Sequence, residues 1–200
     1  DNKMKRFFYL LVACLFMMTG ATWAQENNSK EETRAERKAA KQKAKEAEKA
    51  AEEARQMAMF NEAVAALNAQ DFVLEADRVE FKRGQFVYVT PNTNFVSFID
   101  GRATIQLTFN VPASGPNGIG GITVEGQPSN IKMETNKKGD VTFSMMVQGT
   151  GVSASISIRM PKGTAKCTAT VNPTFNSNRL SFTGILYPAK ESRVFKGRSL

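Results

Sequence analysis

Two hydrophobic rhythms divide the chain near residue 70. Upstream, residues 29–69 hold no Gly, no Pro and almost no β-branched side chain. They are Ala, Glu, Lys, Arg and Gln, all strong helix formers. Ser29 with Glu32 three positions on reads as a capping box. Ala40, Ala44, Ala47, Ala51, Ala54 and Ala58 recur at alternating steps of four and three, a heptad seam. A seam of alanines buries little area per residue, so it predicts a solvated spacer over 25–69 and at most weak self-association through 40–58. Met57, Phe60, Val64 and Leu67 form a true apolar stripe, which predicts that this end docks on the region after residue 70.

From Asp71 the period becomes two. Ala103, Ile105, Leu107, Phe109 and Val111 alternate with polar residues, as do Val141 to Val147, Val152 to Met160, Ala165 to Val171 and Leu180 to Leu186. Earlier strands are predicted at 72–81, 85–90, 95–99, 121–125 and 130–135. Turn signals separate them at Arg83-Gly84, Asp100-Gly101, Asn136 to Asp140, Gly149 to Gly151, Lys162-Gly163 and Asn176 to Asn178. About nine or ten short strands with short connections make a mainly β domain over 70–190, an antiparallel meander barrel or sandwich. Residues 191–200 are a basic tail. Pro112 to Gly121 is the one long Gly-rich loop and is expected to form a mobile lid or rim.

The first residues read as an address. Met4-Lys5-Arg6 is a basic start, Phe7 to Met18 an unbroken apolar run, and Thr22 and Ala24 suit a signal peptidase. A signal peptide over 1–24, with Met4 as initiator and cleavage after Ala24, predicts export to the periplasm or beyond, with membrane contact only during transit. Leu11 to Cys14 resembles a lipobox, but Leu15 to Met18 would then survive where a polar tether is expected. Soluble export is the reading taken. Cleavage leaves 24 basic and 18 acidic residues, a net charge of +6, and removes Trp23.

Composition excludes more chemistry than it suggests. The chain has no histidine, so every His-based triad, zinc site and near-neutral pH switch is absent. After cleavage Cys167 is the lone thiol, flanked by Ala165 and Ala169 on a small apolar strand face, and reads as buried and inert. Gly149 to Ala154 matches GxGxxA, but an alternating strand comes next where a helix is needed, so it reads as a hairpin turn. Ser129-x-x-Lys132 matches SxxK, yet in a strand the two side chains point to opposite faces. Asp71, Glu75 and Asp77 lack a calcium loop and read as a charged outer face protecting an edge strand. The basic residues of the β region are scattered and not interleaved with aromatics, which argues against nucleic acid. Of eleven mature Phe most have core parity, and Tyr88 and Tyr187 are the only other aromatics, which disfavours a sugar-binding platform.

The order of these segments resembles a known family. A signal peptide and charged linker precede Asp71-Phe72-Val73-Leu74-Glu75-Ala76. Next come Val96-Ser97-Phe98-Ile99-Asp100-Gly101-Arg102-Ala103, a Gly-rich turn at 115–121 and Leu180-Ser181-Phe182-Thr183-Gly184. This is similar to the secreted proteins labelled DUF4251 of Bacteroides-like bacteria, over about residues 60–188. An aromatic of the family pattern is replaced at Asp100. The resemblance implies an exported β-rich domain with no assigned activity and supplies no catalytic residues.

The expectation is an exported, non-enzymatic interaction module without cofactor or metal. Phe98, Arg102, Gly118, Gly120 and Gly121 are its candidate binding rim, because Gly-rich loops adjoin binding mouths. An envelope protein, an anionic polymer or a small apolar ligand are the partner classes. A barrel carrier of an apolar ligand is the alternative, and a His-independent hydrolase a third.

Overall fold

A computed structural model describes residues 2–109, 115–149, 152–174 and 178–199, with side chains from residue 36 onward except Val152. The chain divides into two compact units, Asp1–Glu52 and Glu53–Leu200. Helix α1 runs Asn2–Ala69, straight through Ser29, so the proposed capping box is not a helix start here. The apolar run before it is itself compatible with a helix and needs no cap. The signal-peptide reading of residues 1–24 rests on side chains outside the described residues. Residues 36–55 are exposed throughout, the alanine seam of Ala40 to Ala54 included.

The second unit begins with the last four turns of α1. Phe60, Ala63, Ala66 and Leu67 are buried and continuous with the β core, so the apolar stripe docks as its spacing predicts. Met57 lies against the turn at Gly163. The helix stops in a paired arrangement: the Asp71 N–H donates to the Ala66 carbonyl and the Gln70 N–H to that of Leu67, each at 3.1 Å. This closure requires a left-handed residue, and Gln70 supplies it at φ 56°.

Nine strands come after it: β1 Phe72–Phe81, β2 Phe86–Tyr88, β3 Phe95–Ile99, β4 Arg102–Thr108, β5 Gly121–Thr135, β6 Val141–Gly149, β7 Val152–Met160, β8 Lys166–Pro173 and β9 Leu180–Pro188. From β3 to β9 each pairs antiparallel with its neighbour in sequence, β1 pairs with both β2 and β3, and β1 also pairs with β9 from Phe72↔Pro188 to Phe81↔Leu180. That last pairing closes an eight-stranded barrel and decides between barrel and sandwich. β2 is a ninth strand outside the circle. It lines up against the second half of β1 while β3 takes the first half, and a 3-10 turn over Pro91–Thr93 joins them. Asp100 and Gly101, at φ 49° and 73°, make the two-residue β3–β4 turn that the Asp-Gly pair announces.

Three expectations are corrected. The strands at 121–125 and 130–135 are one strand, β5. Its register slips between Ser129 and Lys132, where Asn130 adopts φ 50° after Pro128 withholds a ladder N–H. The slip also breaks the simple strand geometry assumed for Ser129 and Lys132. β4 ends at Thr108 rather than Val111; residues 110–114, like the turn positions Thr150, Gly151, Asn176 and Ser177, lie outside the described residues. β1 is not an edge strand, since it has neighbours on both sides; Asp77 is exposed because it is the extra residue of a bulge opposite Gly184–Thr183. Gly184 is required there, because a Cβ would sit 1.9 Å from the Glu75 carbonyl oxygen.

Replacing Gln70 by Gly is expected to raise stability by roughly 0.5–1 kcal/mol by relieving the left-handed strain. Thermal denaturation checks this, and an unchanged or lower midpoint contradicts the capping account.

Candidate functional site

The barrel interior is occupied by its own side chains. Phe72 meets Phe143 edge to face at 5.3 Å and Phe98 at 6.2 Å, and Phe182, Met145, Ile156, Ile158 and Met160 are buried around them. Eight strands leave an interior just wide enough for such filling. Cys167 faces this core, and burial pushes its thiol pKa up, away from the reactive thiolate.

The proposed rim residues do not form one rim. Phe98 is inside the core, 3% exposed. Arg102 is exposed beside the β3–β4 turn and pairs with Glu125 at 3.4 Å. Gly118 and Gly120, at φ 80° and 92°, shape the loop at the far end of β4, and Gly121 opens β5 there, paired with Thr108. The rise of β4, roughly 20 Å, separates Arg102 from that loop. The described part of the loop is tied down rather than hanging free. The buried Asn117 side chain accepts from the Ile119 and Gly121 N–H groups at 3.1 and 2.9 Å and donates to Thr123 Oγ1 at 3.3 Å.

Asn117 belongs to a polar layer that alternation alone hides. Thr104, Gln106 and Thr108 point outward from β4, yet all are buried, as are Phe95, Ser97 and Thr123. The chain after β9 lies over them. Gln106 Nε2 donates to the carbonyls of Thr93 (2.9 Å) and Phe195 (2.8 Å). Its Oε1 accepts from Thr123 Oγ1 and the Gly197 N–H, both at 2.8 Å. The Arg198 N–H donates to the Asn117 carbonyl at 3.0 Å, and Ser192 Oγ to Glu75 Oε1 at 2.7 Å. Lys196 binds Glu125, which lowers the Glu125 pKa chiefly through that hydrogen bond, with Arg102 assisting and burial opposing. The basic tail is thus a strap, a role that its short polar sequence does not signal.

The uncovered wall is different. The strand registers align outward residues in two rows that run across the strands. One reads Tyr88, Arg78, Thr183, Thr168, Arg159, Thr142. The next reads Phe86, Glu80, Ser181, Thr170, Ser157, Ser144. Tyr88 and Phe86 are 79% and 51% exposed and meet edge to face at 5.7 Å. Arg78 lies over the Phe86 ring at 5.3 Å and binds Glu80 at 3.2 Å. Parity places Phe72, Phe98, Phe143 and Phe182 correctly in the core, but Phe95 is buried on the outward side, Phe195 is exposed on the strap, and Phe86 and Tyr88 are exposed because β2 lies outside the barrel.

A depression of about 460 Å³ interrupts the first row, lined by Asp140, Thr142, Arg159, Lys166, Thr168 and Thr183 among others. Asp140 accepts from the Asn136 amide at 3.0 Å and the Lys162 N–H at 3.1 Å, and these bonds lower its pKa. A second depression, about 660 Å³, lies beside Lys82, Arg83 and Arg179. These groups can hydrogen-bond, stack and attract anions. Among the described residues no three His, Cys, Asp or Glu side chains group as metal ligands.

A family model described as a domain of unknown function (DUF4251) matches residues 54–186. That span starts one residue after the compact unit's first residue, Glu53, so it takes in the docked helix end and stops before the strap. The fold is similar to the crystal structure of a DUF4251 family protein from Bacteroides eggerthii. The TM-score is 0.62 and the identity 48%, covering 74% of this chain and 99% of that one. No curated protein matches.

Replacing Gln106 by Leu removes the partner of four groups, of which Thr123 is buried and the others are partly open, and is expected to cost about 2–3 kcal/mol, read by urea denaturation. A loss under about 1 kcal/mol contradicts the strap's dependence on this amide. The Lys196–Glu125 contribution is full above the ordinary Glu range and falls as pH drops through the lowered value. Amide protection at Gly197 and Arg198 should therefore decline on acidification, and Glu125→Gln should remove that pH dependence.

Proposed function

The chain belongs to the DUF4251 family of domains of unknown function, and from that premise we propose that it is an exported, non-catalytic binding module, a closed barrel on a helical spacer. The carrying observation is the exposed Phe86–Tyr88 pair on an otherwise hydroxyl-rich wall. Exposed aromatic surface costs solubility, and rings that protrude from a strand outside the barrel contribute nothing to its core. The filled interior supports the same reading, because an apolar ligand would have to displace Phe72, Phe143 and Phe182. The buried thiol and the lack of histidine disfavour hydrolysis. The basic start, apolar run and small residues at Thr22 and Ala24 support export toward a cell-envelope partner. Among the described residues no helix is long and apolar enough to cross a membrane.

The double variant Phe86→Ser, Tyr88→Ser tests this. It is expected to keep its thermal midpoint within a few degrees, about the effect of a surface change. Co-sedimentation with the envelope fraction of the producing bacterium should fall at least about fivefold, as loss of an aromatic anchor implies. Undiminished co-sedimentation of the folded variant overturns the assignment of this face.

A further inference from the structure

We propose that the two outward rows bind an acidic polysaccharide, a chain of sugars bearing carboxylates. This rests on the binding-module reading and names its ligand class. Three features of the wall carry it. Its centre is neutral and hydroxylated: Thr183 and Thr168 in one row, and Ser181, Thr170 and Ser157 in the next, lie on the adjacent strands β9, β8 and β7 at about 4.8 Å intervals. That step is close to the advance of an extended pyranose chain per residue. Hydrogen-bonding groups at this repeat suit ring hydroxyls. At one end Tyr88 offers an exposed ring for the apolar side of a sugar, with the half-exposed Phe86 beside it carrying Arg78 over one face.

Charge supplies the third feature. In the depression on the first row, Arg159 and Lys166 make no direct ion pair among the described residues; Asp140 lines the same depression, accepts from the Asn136 amide and the Lys162 N–H, keeps its negative charge and attracts Arg159 at a distance. Glu80 is engaged by Arg78. At the neighbouring mouth Lys82, Arg83 and Arg179 are likewise unpaired among the described residues. Five cations, Arg159, Lys166, Lys82, Arg83 and Arg179, thus stand against two carboxylates, Asp140 and Glu134 beyond Thr142 on β5, so the net charge on this side is positive. A second copy on the same face would bring these cations against their equivalents. The cations are separated by stretches of hydroxyls, which fits a sugar chain with spaced carboxylates better than a close-set phosphate backbone.

Polygalacturonate is the probe, with its methyl-esterified form as the neutral control and inorganic polyphosphate as the anion without sugar rings, all tested on the full chain by calorimetry. Polygalacturonate should bind, and added salt should weaken it by screening. Esterification should weaken it by at least about tenfold. Arg159→Gln with Lys166→Gln, and separately Tyr88→Ala, should each cost about five- to tenfold without changing the thermal midpoint. Equal binding of the esterified form, equally tight polyphosphate binding, or variants that bind like the parent would overturn the proposal. If polygalacturonate fails to bind while the Phe86→Ser, Tyr88→Ser variant still loses the envelope fraction, the ligand class falls and the binding module stands. If neither experiment responds, both fall.

Discussion

The side-chain amide of Gln106 sets the plan of the outer surface. It has two donors and two acceptor sites, and all four are used, on Thr93, Phe195, Thr123 and Gly197. The Gly197 N–H can only donate and the two carbonyls only accept, so the amide orientation is fixed by its partners. Those partners come from the turn before β3, from β5 and from the strap. One residue, wholly buried, therefore holds three separate segments against β4. A buried amide is costly when half satisfied and specific when complete. Asn94 and Asn117 extend the layer to either side: the Thr108 N–H donates to Asn94 Oδ1 at 2.7 Å, and Asn117 reaches Thr123.

This covering divides the barrel wall. Over β3, β4 and the start of β5 most outward residues are sealed beneath the strap, Arg102 at the turn end excepted, and Phe95 and Ser97 are as buried as the core. Over β6 to β9 they remain open and carry hydroxyls. The interior offers no alternative, because the buried rings and the docked helix end fill it. The space for recognition is thus narrowed from both sides, by packing within and by the strap outside, to the hydroxyl wall and the β2 strand beside it.

Much of the barrel is legible in the sequence because an antiparallel strand with one buried face must alternate. The limits of β1 and β3 fall where the period places them, and Asp100-Gly101 marks its turn because both residues tolerate positive φ. Closure is not legible. The β1–β9 pairing joins residues about a hundred positions apart and leaves no local mark. The bulge at Asn130 reads as a gap because a slip in register interrupts alternation just as a turn does. The site suffers most. Phe98 and Arg102 are neighbours in sequence, but one enters the core and the other faces solvent. Gln106 looks like an ordinary outward residue, since its burial depends on a tail eighty-nine positions downstream. The two rows exist only once the registers of six strands are known.

β2 presents a remaining physical problem. A closed barrel has no edges, and edges invite unwanted pairing. This chain adds a three-residue strand outside the closed circle and exposes two aromatic rings on it. Its shortness limits the main-chain groups that could recruit another strand, and Arg78 against Phe86 keeps a charge beside the ring. Those features restrain aggregation without hiding the rings. A strand needed only to shield β1 would serve equally well with polar side chains. That the rings are displayed, held edge to face and aligned by register with the hydroxyl rows, is what a recognition surface requires and a merely structural strand does not.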